Sequence, residues 1–262
     1  MKKMIGITVL VAVVAVLAFG AVNRTMAKSE TSATEFGTGN GRGNASSRSE
    51  ITTTGAERGY NAQDAQEHSA LLDSLPSGTL DQAETDALQF MLEEEKLARD
   101  VYTALYAIWG QPVFDNISGS EQTHINAVLD LLERYDLTPL ASDQPGVFAN
   151  TDLQALYTQL IAQGSQSLAD ALLVGGAIEE IDILDLQSRI AQTDQADIQS
   201  VFEALENGSY HHLSAFASNY TRQTGLEYQA KYMSADALQN SISSNAGNSR
   251  GQGGNGRGRQ GK

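Results

Sequence analysis

Between Thr79 and Gly225, apolar residues recur at spacings of three and four in four long runs. Strand signals (alternation, β-branched runs, Asn-Gly hairpins) are weak throughout. That period belongs to helices which each bury one face, and it leaves helix-on-helix packing as the way to form a core. The first run opens where Thr79 with Gln82 resembles a capping box, and it extends to Trp109-Gly110. A second covers about 114–135 and is stopped by Asp136-Leu137-Thr138-Pro139. A shorter one follows Asn150-Thr151, from about 152 to 162. A third long helix covers about 166–192, and a fourth runs from Asp194 to about Gln223, closed by Gly225. The pattern predicts an all-α bundle over residues 75–235 with short connecting helices.

Some ionisable residues share the apolar stripes. In the first helix, Leu88, Met91, Leu92, Ala98, Tyr102 and Leu105 form the stripe. Glu95 falls on it; Glu93 and Glu94 do not, and two acids on a wet face need no explanation. In the second, Glu121 and His124 lie in line with Ile117, Val128 and Leu131. In the third, Glu179 and Asp182 share a face with Leu168, Leu172, Gly175, Leu186 and Ile190. In the fourth, Ser209 and His212 follow Ile198, Phe202 and Leu205 and precede Phe216. An unpaired buried carboxylate costs roughly several kcal/mol. Four carboxylates and two imidazoles converging in one interior therefore call for cations to neutralise them. Carboxylate mixed with imidazole suits iron or manganese, with zinc as a further candidate.

The chain contains no cysteine, so disulfides and thiolate metal sites are excluded. Residues 81–233 hold 24 acidic residues against 6 basic ones, a net of −18; since the whole chain sums to −15, the remainder is about +3. Such an acidic domain repels nucleic acid and anionic lipid. Lys2 and Lys3 precede an apolar run from Met4 to Val22, so residues 1–27 read as an export signal. A retained membrane anchor through residues 4–22 is the alternative, and either one places the domain outside the cytoplasm. Residues 28–62, with the linker continuing to 70, and the tail from about Asn240 (240–262) are rich in small polar residues and read as disordered.

Glu95-x-x-Ala98-Arg99-Asp100-x-Tyr102 resembles the first-helix signature of rubrerythrin-type proteins in the ferritin-like superfamily, and Glu121-x-x-His124 is similar to the second-helix ligand pair of those di-iron carboxylate bundles. "EEEKLARDVY", "GAIEEIDILDL" and "GSYHHLSAF" together resemble an uncharacterised-domain family of bacterial and archaeal ferritin-like proteins, over roughly residues 75–235. The resemblance implies a ferritin-like four-helix bundle with a metal site, and two irons as its occupant. Carried over residue by residue, it implies Glu95, Glu121, His124, one carboxylate of "IEEID" and His212 as ligands. Glu179 is preferred on its stripe, with Glu180 as the fallback should the helix rotate.

The departure is on the fourth helix, where Ser209-Tyr210-His211-His212 stands in place of Glu-x-x-His. Asp182 is the candidate to supply the lost oxygen; a single metal or a weaker pair is the other outcome. His211 reads as facing away from the stripe and His68 as incidental. Tyr102 reads as a core tyrosine or as a hydrogen-bond donor to a ligating carboxylate, Arg99 and Asp100 as pairing with neighbouring helices or as surface ion pairs, and Gly175-Gly176 as a point of close helix approach or a kink.

Two functions compete at this level. One is an exported metal-binding protein with a carboxylate/histidine di-iron site that handles iron, oxygen or peroxide. The other is a non-enzymatic envelope or extracellular module with structural metal or none. Metal ions are the expected partners, with a homodimer as a further candidate; cage storage is disfavoured. The sequence offers no Gly-rich phosphate loop after a strand and no nucleophile elbow.

Overall fold

The computed structural model describes residue 72 and residues 74–248, with side chains to residue 242. The expected export signal, the linker to residue 70, His68 and the last part of the tail lie outside the described residues. Among the described residues there are six helices and no strand: α1 (Gln82–Trp109), α2 (Pro112–Arg134), α3 (Thr151–Gly164), α4 (Leu168–Ile190), α5 (Ala196–Thr224) and α6 (Ala235–Asn248). No described helix is long and apolar enough to cross a membrane.

Each boundary has a local cause. α1 starts two residues later than the Thr79 and Gln82 pair suggests, because Asp81 and Glu84 make the capping box instead. Asp81 Oδ1 accepts from Glu84 N at 2.9 Å, and Glu84 Oε2 accepts from Asp81 N at 2.9 Å. Two carboxylates at a helix N-terminus also complement its dipole, which a threonine and glutamine do not. Gly110, at φ 61°, closes α1 in the left-handed region, and Pro112 opens α2 where a missing N–H costs nothing. Asn150 and Ser167 cap α3 and α4, and Gly225, at φ 73°, closes α5.

α6 corrects the expectation that disorder begins near Asn240. Leu238 and Ser241 are buried, and Leu238 joins a cluster with Ile183, Leu213, Ala217 and Tyr228. A helix anchored by so few apolar side chains among Ser and Asn gives almost no periodic signal.

α1 and α2 form one helical hairpin and α4 and α5 another; they pack together through α1 on α4 and α2 on α5. α3 lies against α1 and α4, and α6 against α5. One apolar cluster gathers Val101, Tyr102, Phe114, Leu172 and Phe216; a second gathers Leu88, Met91, Val128, Leu131 and Phe202. Along every long helix the ionisable stripe residues fall between these two clusters, so the fold sandwiches a polar layer between apolar plugs.

Gly175 and Gly176 serve close approach. A Cβ on Gly175 would sit 2.5 Å from the Phe216 ring, and one on Gly176 would sit 2.5 Å from Tyr228 Oη. Phe216 in turn packs against Tyr102 in a tilted arrangement, with ring centroids 5.1 Å apart. Gly175→Ala gains about 1 kcal/mol of helix propensity but overpacks this aromatic contact at a cost of roughly 1–3 kcal/mol. Urea unfolding is expected to show a net loss of stability; a gain would mean that Phe216 moves freely.

Candidate metal centre

All three glutamates of Glu93-Glu94-Glu95 are buried, which corrects the expectation that the first two face water. α1 is covered here on every side: by α2, by α4, and by the loop that follows α2. Glu93 turns to that loop and accepts from Ala149 N at 2.6 Å and Asn150 N at 2.8 Å. Glu94 turns to α4, beside Asp185. Glu95 turns to α2 and the polar layer.

Within that layer Glu121 is central. Its Oε2 lies 2.9 Å from His124 Nδ1, and its Oε1 lies 2.9 Å from His212 Nδ1. His124 Nδ1 is also 3.1 Å from Glu95 Oε2, and His212 Nδ1 is 3.4 Å from Glu179 Oε2. The two imidazoles stack with centroids 5.3 Å apart. Each ring thus has a carboxylate of its own and shares Glu121 with the other. Glu121, His124 and His212 form a compact buried group with ligand atoms within 4.8 Å of one another.

The surroundings fix these groups. Tyr102 Oη donates to Glu179 Oε1 at 2.5 Å while its ring sits in the apolar cluster, so both roles read for it coexist. Ser209 Oγ lies 2.5 Å from Asp182 Oδ2 and 2.9 Å from Leu205 O, and its one hydroxyl proton is shared between these two acceptors. His212 Nε2 lies 2.8 Å from Ser120 Oγ; with the proton on Nε2, the Nδ1 lone pair faces the carboxylates. Gly208 leaves room for His124, because a Cβ there would lie 2.5 Å from Nε2.

Several polar atoms are left over. Glu95 Oε1, Glu121 Oε1, Asp182 Oδ1 and His212 Nδ1 are buried without a hydrogen-bond partner among the described residues. Glu121 Oε1 and His212 Nδ1 are close together yet not aligned to bond. Buried groups in this state each cost about 1–3 kcal/mol unless something else satisfies them.

The electrostatics follow from crowding. Burial, partly offset by His124 and reinforced by Glu121, raises Glu95 to about 7. Burial, then Glu95, Glu94 and Glu179, holds Asp182 well above the usual carboxylate range. Burial also raises Glu179, with Glu121 adding to it and His212 opposing. Burial pushes Glu121 up too, but His212 and His124 together outweigh it and hold this carboxyl low. For His212, burial opposes the charged form, yet Glu121 and Glu179 carry the ring to about 10. His124 is raised by Glu95 and Glu121 against the same opposition. Without cations, the layer holds protons to limit its negative charge.

The six residues Glu95, Glu121, His124, Glu179, Asp182 and His212 therefore share one buried layer. Glu180 does not: its carboxylate accepts from Tyr228 Oη at 2.7 Å and from the backbone N–H groups of Lys231, Tyr232 and Met233. His211 is exposed. Of the two readings of Arg99 and Asp100, the surface pair is corrected, because Asp100 is buried and takes Lys96 Nζ at 2.6 Å, Arg99 and Gly146 N, while Arg99 reaches the neighbouring helix α2 by donating to Gln122 Oε1 at 2.7 Å. Sequence reasoning missed Ser120 and Gly208, which carry no periodic signature. Asp185 was missed as well, although it lies three residues beyond Asp182 on the same helical face.

The family model described as "Uncharacterized protein domain (DUF2202)" matches residues 84–245, which span the whole polar layer. "Uncharacterized protein MJ0754" of Methanocaldococcus jannaschii is 44% identical over 177 residues, covering 66% of this chain and 94% of its own. A crystal structure titled hypothetical protein MJ0754 from Methanococcus jannaschii DSM 2661 is similar with a TM-score of 0.63 at 43% identity. It covers 65% of this chain and 97% of its own.

Proposed function

The chain belongs to the DUF2202 family of uncharacterized domains, and we propose that it is an exported, ferritin-like metal-binding protein whose polar layer holds divalent cations, iron foremost, with manganese or zinc as alternatives. The observation that carries this reading is Glu121, whose two oxygens each stand 2.9 Å from a different imidazole Nδ1. A carboxylate so placed is suited to bridging two positions. Glu95 and His124 would complete one position, and Glu179 and His212 the other, with Asp182 adding an oxygen where Ser209 offers none. The donor set fits: carboxylate and imidazole suit borderline and hard cations, and the orphaned atoms are the ones a cation would satisfy.

Bound iron would supply one-electron chemistry toward dioxygen or peroxide. The chain itself orients and insulates. Tyr102 fixes Glu179, Ser209 fixes Asp182, Ser120 sets the His212 ring, and the apolar clusters on both sides keep water out. Ion-pair lengths of 2.9–3.1 Å among Glu95, Glu121, His124 and His212 favour a second reading, a metal-free scaffold held by its own buried charges.

Metal analysis of the purified full chain separates the two. About two tightly held ions per chain, with one of them lost in His124→Ala, are expected for the first reading. A metal-free protein whose melting temperature ignores added Fe(II), Mn(II) or Zn(II) rejects it.

Binding is expected to strengthen with pH. Between pH 5 and 7 the ion-free protein keeps protons on both His212 and Glu95, since these titrate near 10 and 7. A cation must displace them, so affinity rises by about tenfold per pH unit for each proton released. Above pH 7 Glu95 has already lost its proton and the slope falls. Isothermal titration in buffers of different ionisation enthalpy measures the protons released; no release contradicts the assignment. Gly208→Ala is expected to push the His124 ring aside and weaken binding by about 10–100-fold with the fold intact, as read by circular dichroism and metal titration.

A further inference from the structure

The two imidazoles of the polar layer are held differently. His212 and Glu179 are each gripped from behind: His212 Nε2 lies 2.8 Å from Ser120 Oγ, and Glu179 Oε1 accepts from Tyr102 Oη at 2.5 Å. Their inner atoms stay unengaged. His212 Nδ1 has no hydrogen-bond partner among the described residues, and Glu179 Oε2 stands 3.4 Å from it. His124 and Glu95 show the reverse. His124 Nε2 faces Gly208, which has no side chain with which to hold the ring, and Glu95 Oε1 has no hydrogen-bond partner among the described residues. Their inner atoms are spent on each other, because His124 Nδ1 and Glu95 Oε2 are hydrogen-bonded at 3.1 Å.

A cation between His212 and Glu179 therefore meets ligands already oriented and breaks no hydrogen bond between them. A cation between His124 and Glu95 must break one and then order two side chains, which costs conformational entropy. Glu121 turns one oxygen to each imidazole at the same 2.9 Å, so it does not distinguish the two positions.

We propose that the two cation positions are unequal and fill in order, the Glu179–His212 position first and the Glu95–His124 position second, with Ser120 and Tyr102 as the positioning residues that set the difference. The difference is at least about tenfold in affinity, the lower range for a group that orients a ligand. One ion is thereby resident and the other exchangeable, so the layer can take up and release a cation without losing the first. The proposal rests on the reading that this layer holds divalent cations, and it adds which half holds them more firmly.

Mn(II) titration of the ion-free full chain, followed by electron paramagnetic resonance, tests it. A lone bound Mn(II) and a carboxylate-bridged pair give distinct spectra, so the two steps are read separately. The wild type is expected to bind one isolated ion and then, at free Mn(II) at least about tenfold higher, to form the pair. His124→Ala should keep the first step and lose the second, whereas His212→Ala should lose the tight step. Ser120→Ala and Tyr102→Phe should each weaken the first step by about 10–100-fold, so that the two steps merge. Ser120→Thr, which keeps the hydroxyl, should bind as the wild type does. Should His212→Ala fail to fold, the two serine variants decide the matter. Two ions bound with equal affinity, a tight step lost in His124→Ala, or wild-type binding by Ser120→Ala overturns this proposal alone. A wild type that takes up no Mn(II), Fe(II) or Zn(II) overturns it together with the metal-binding reading.

Discussion

Glu121→Gln is expected to weaken cation binding by more than about 100-fold, the upper range for losing a group that merely orients a ligand. Glu121 does more than orient. Its two oxygens serve both imidazoles, so one substitution degrades two positions at once. Removing the carboxylate also removes what raises both rings against the opposition of burial, so His212 should fall from about 10 toward the ordinary imidazole range. Metal titration combined with imidazole NMR reads both effects in one protein. A variant that keeps tight binding would mean that the two positions do not share this carboxylate.

The second large effect lies outside the polar layer. Asp100→Ala is expected to lower stability by about 3–5 kcal/mol, the scale for removing one partner of a buried ion pair. Lys96 Nζ would keep Gln144 O at 3.0 Å and Val147 O at 3.2 Å but lose its counter-charge at 2.6 Å, with the charge still buried against the Phe148 ring. Gly146 N would lose its acceptor at the same time. Because Glu93, Lys96 and Asp100 all hold the loop between α2 and α3, the variant should also expose residues 144–150 to hydrogen exchange. Adding Lys96→Met should recover part of the loss in urea unfolding. A loss below about 1 kcal/mol for Asp100→Ala alone would place the pair in water, as an ordinary surface salt bridge.

The helices were legible because a 3.6-residue period repeated four times leaves few other arrangements, and because Gly110, Asn150 and Gly225 mark ends with their own chemistry. Glu95, Glu121, His124, Glu179, Asp182 and His212 were legible for the same reason: stripe position predicts direction, and direction brings them into one layer. What failed was any inference that needed to know what covers a helix from outside. Glu93 and Glu94 look solvated on a helix considered alone, yet a loop from residues 142–150 and the flank of α4 bury them. Asp100 looked like a surface charge because its partners include Gly146, 46 residues away. α6 was missed since its burial depends on Tyr228 and Leu213, not on a pattern of its own.

Crystals grown with Fe(II) under anaerobic conditions, with anomalous scattering recorded at the iron edge, test the metal centre most directly. Two peaks are expected within the polar layer, each at bonding distance from one imidazole Nδ1 and one oxygen of Glu121. An interior without peaks, in which Glu95 and Glu121 still pair with His124 and His212, would contradict the assignment and leave a helical scaffold held by buried ion pairs.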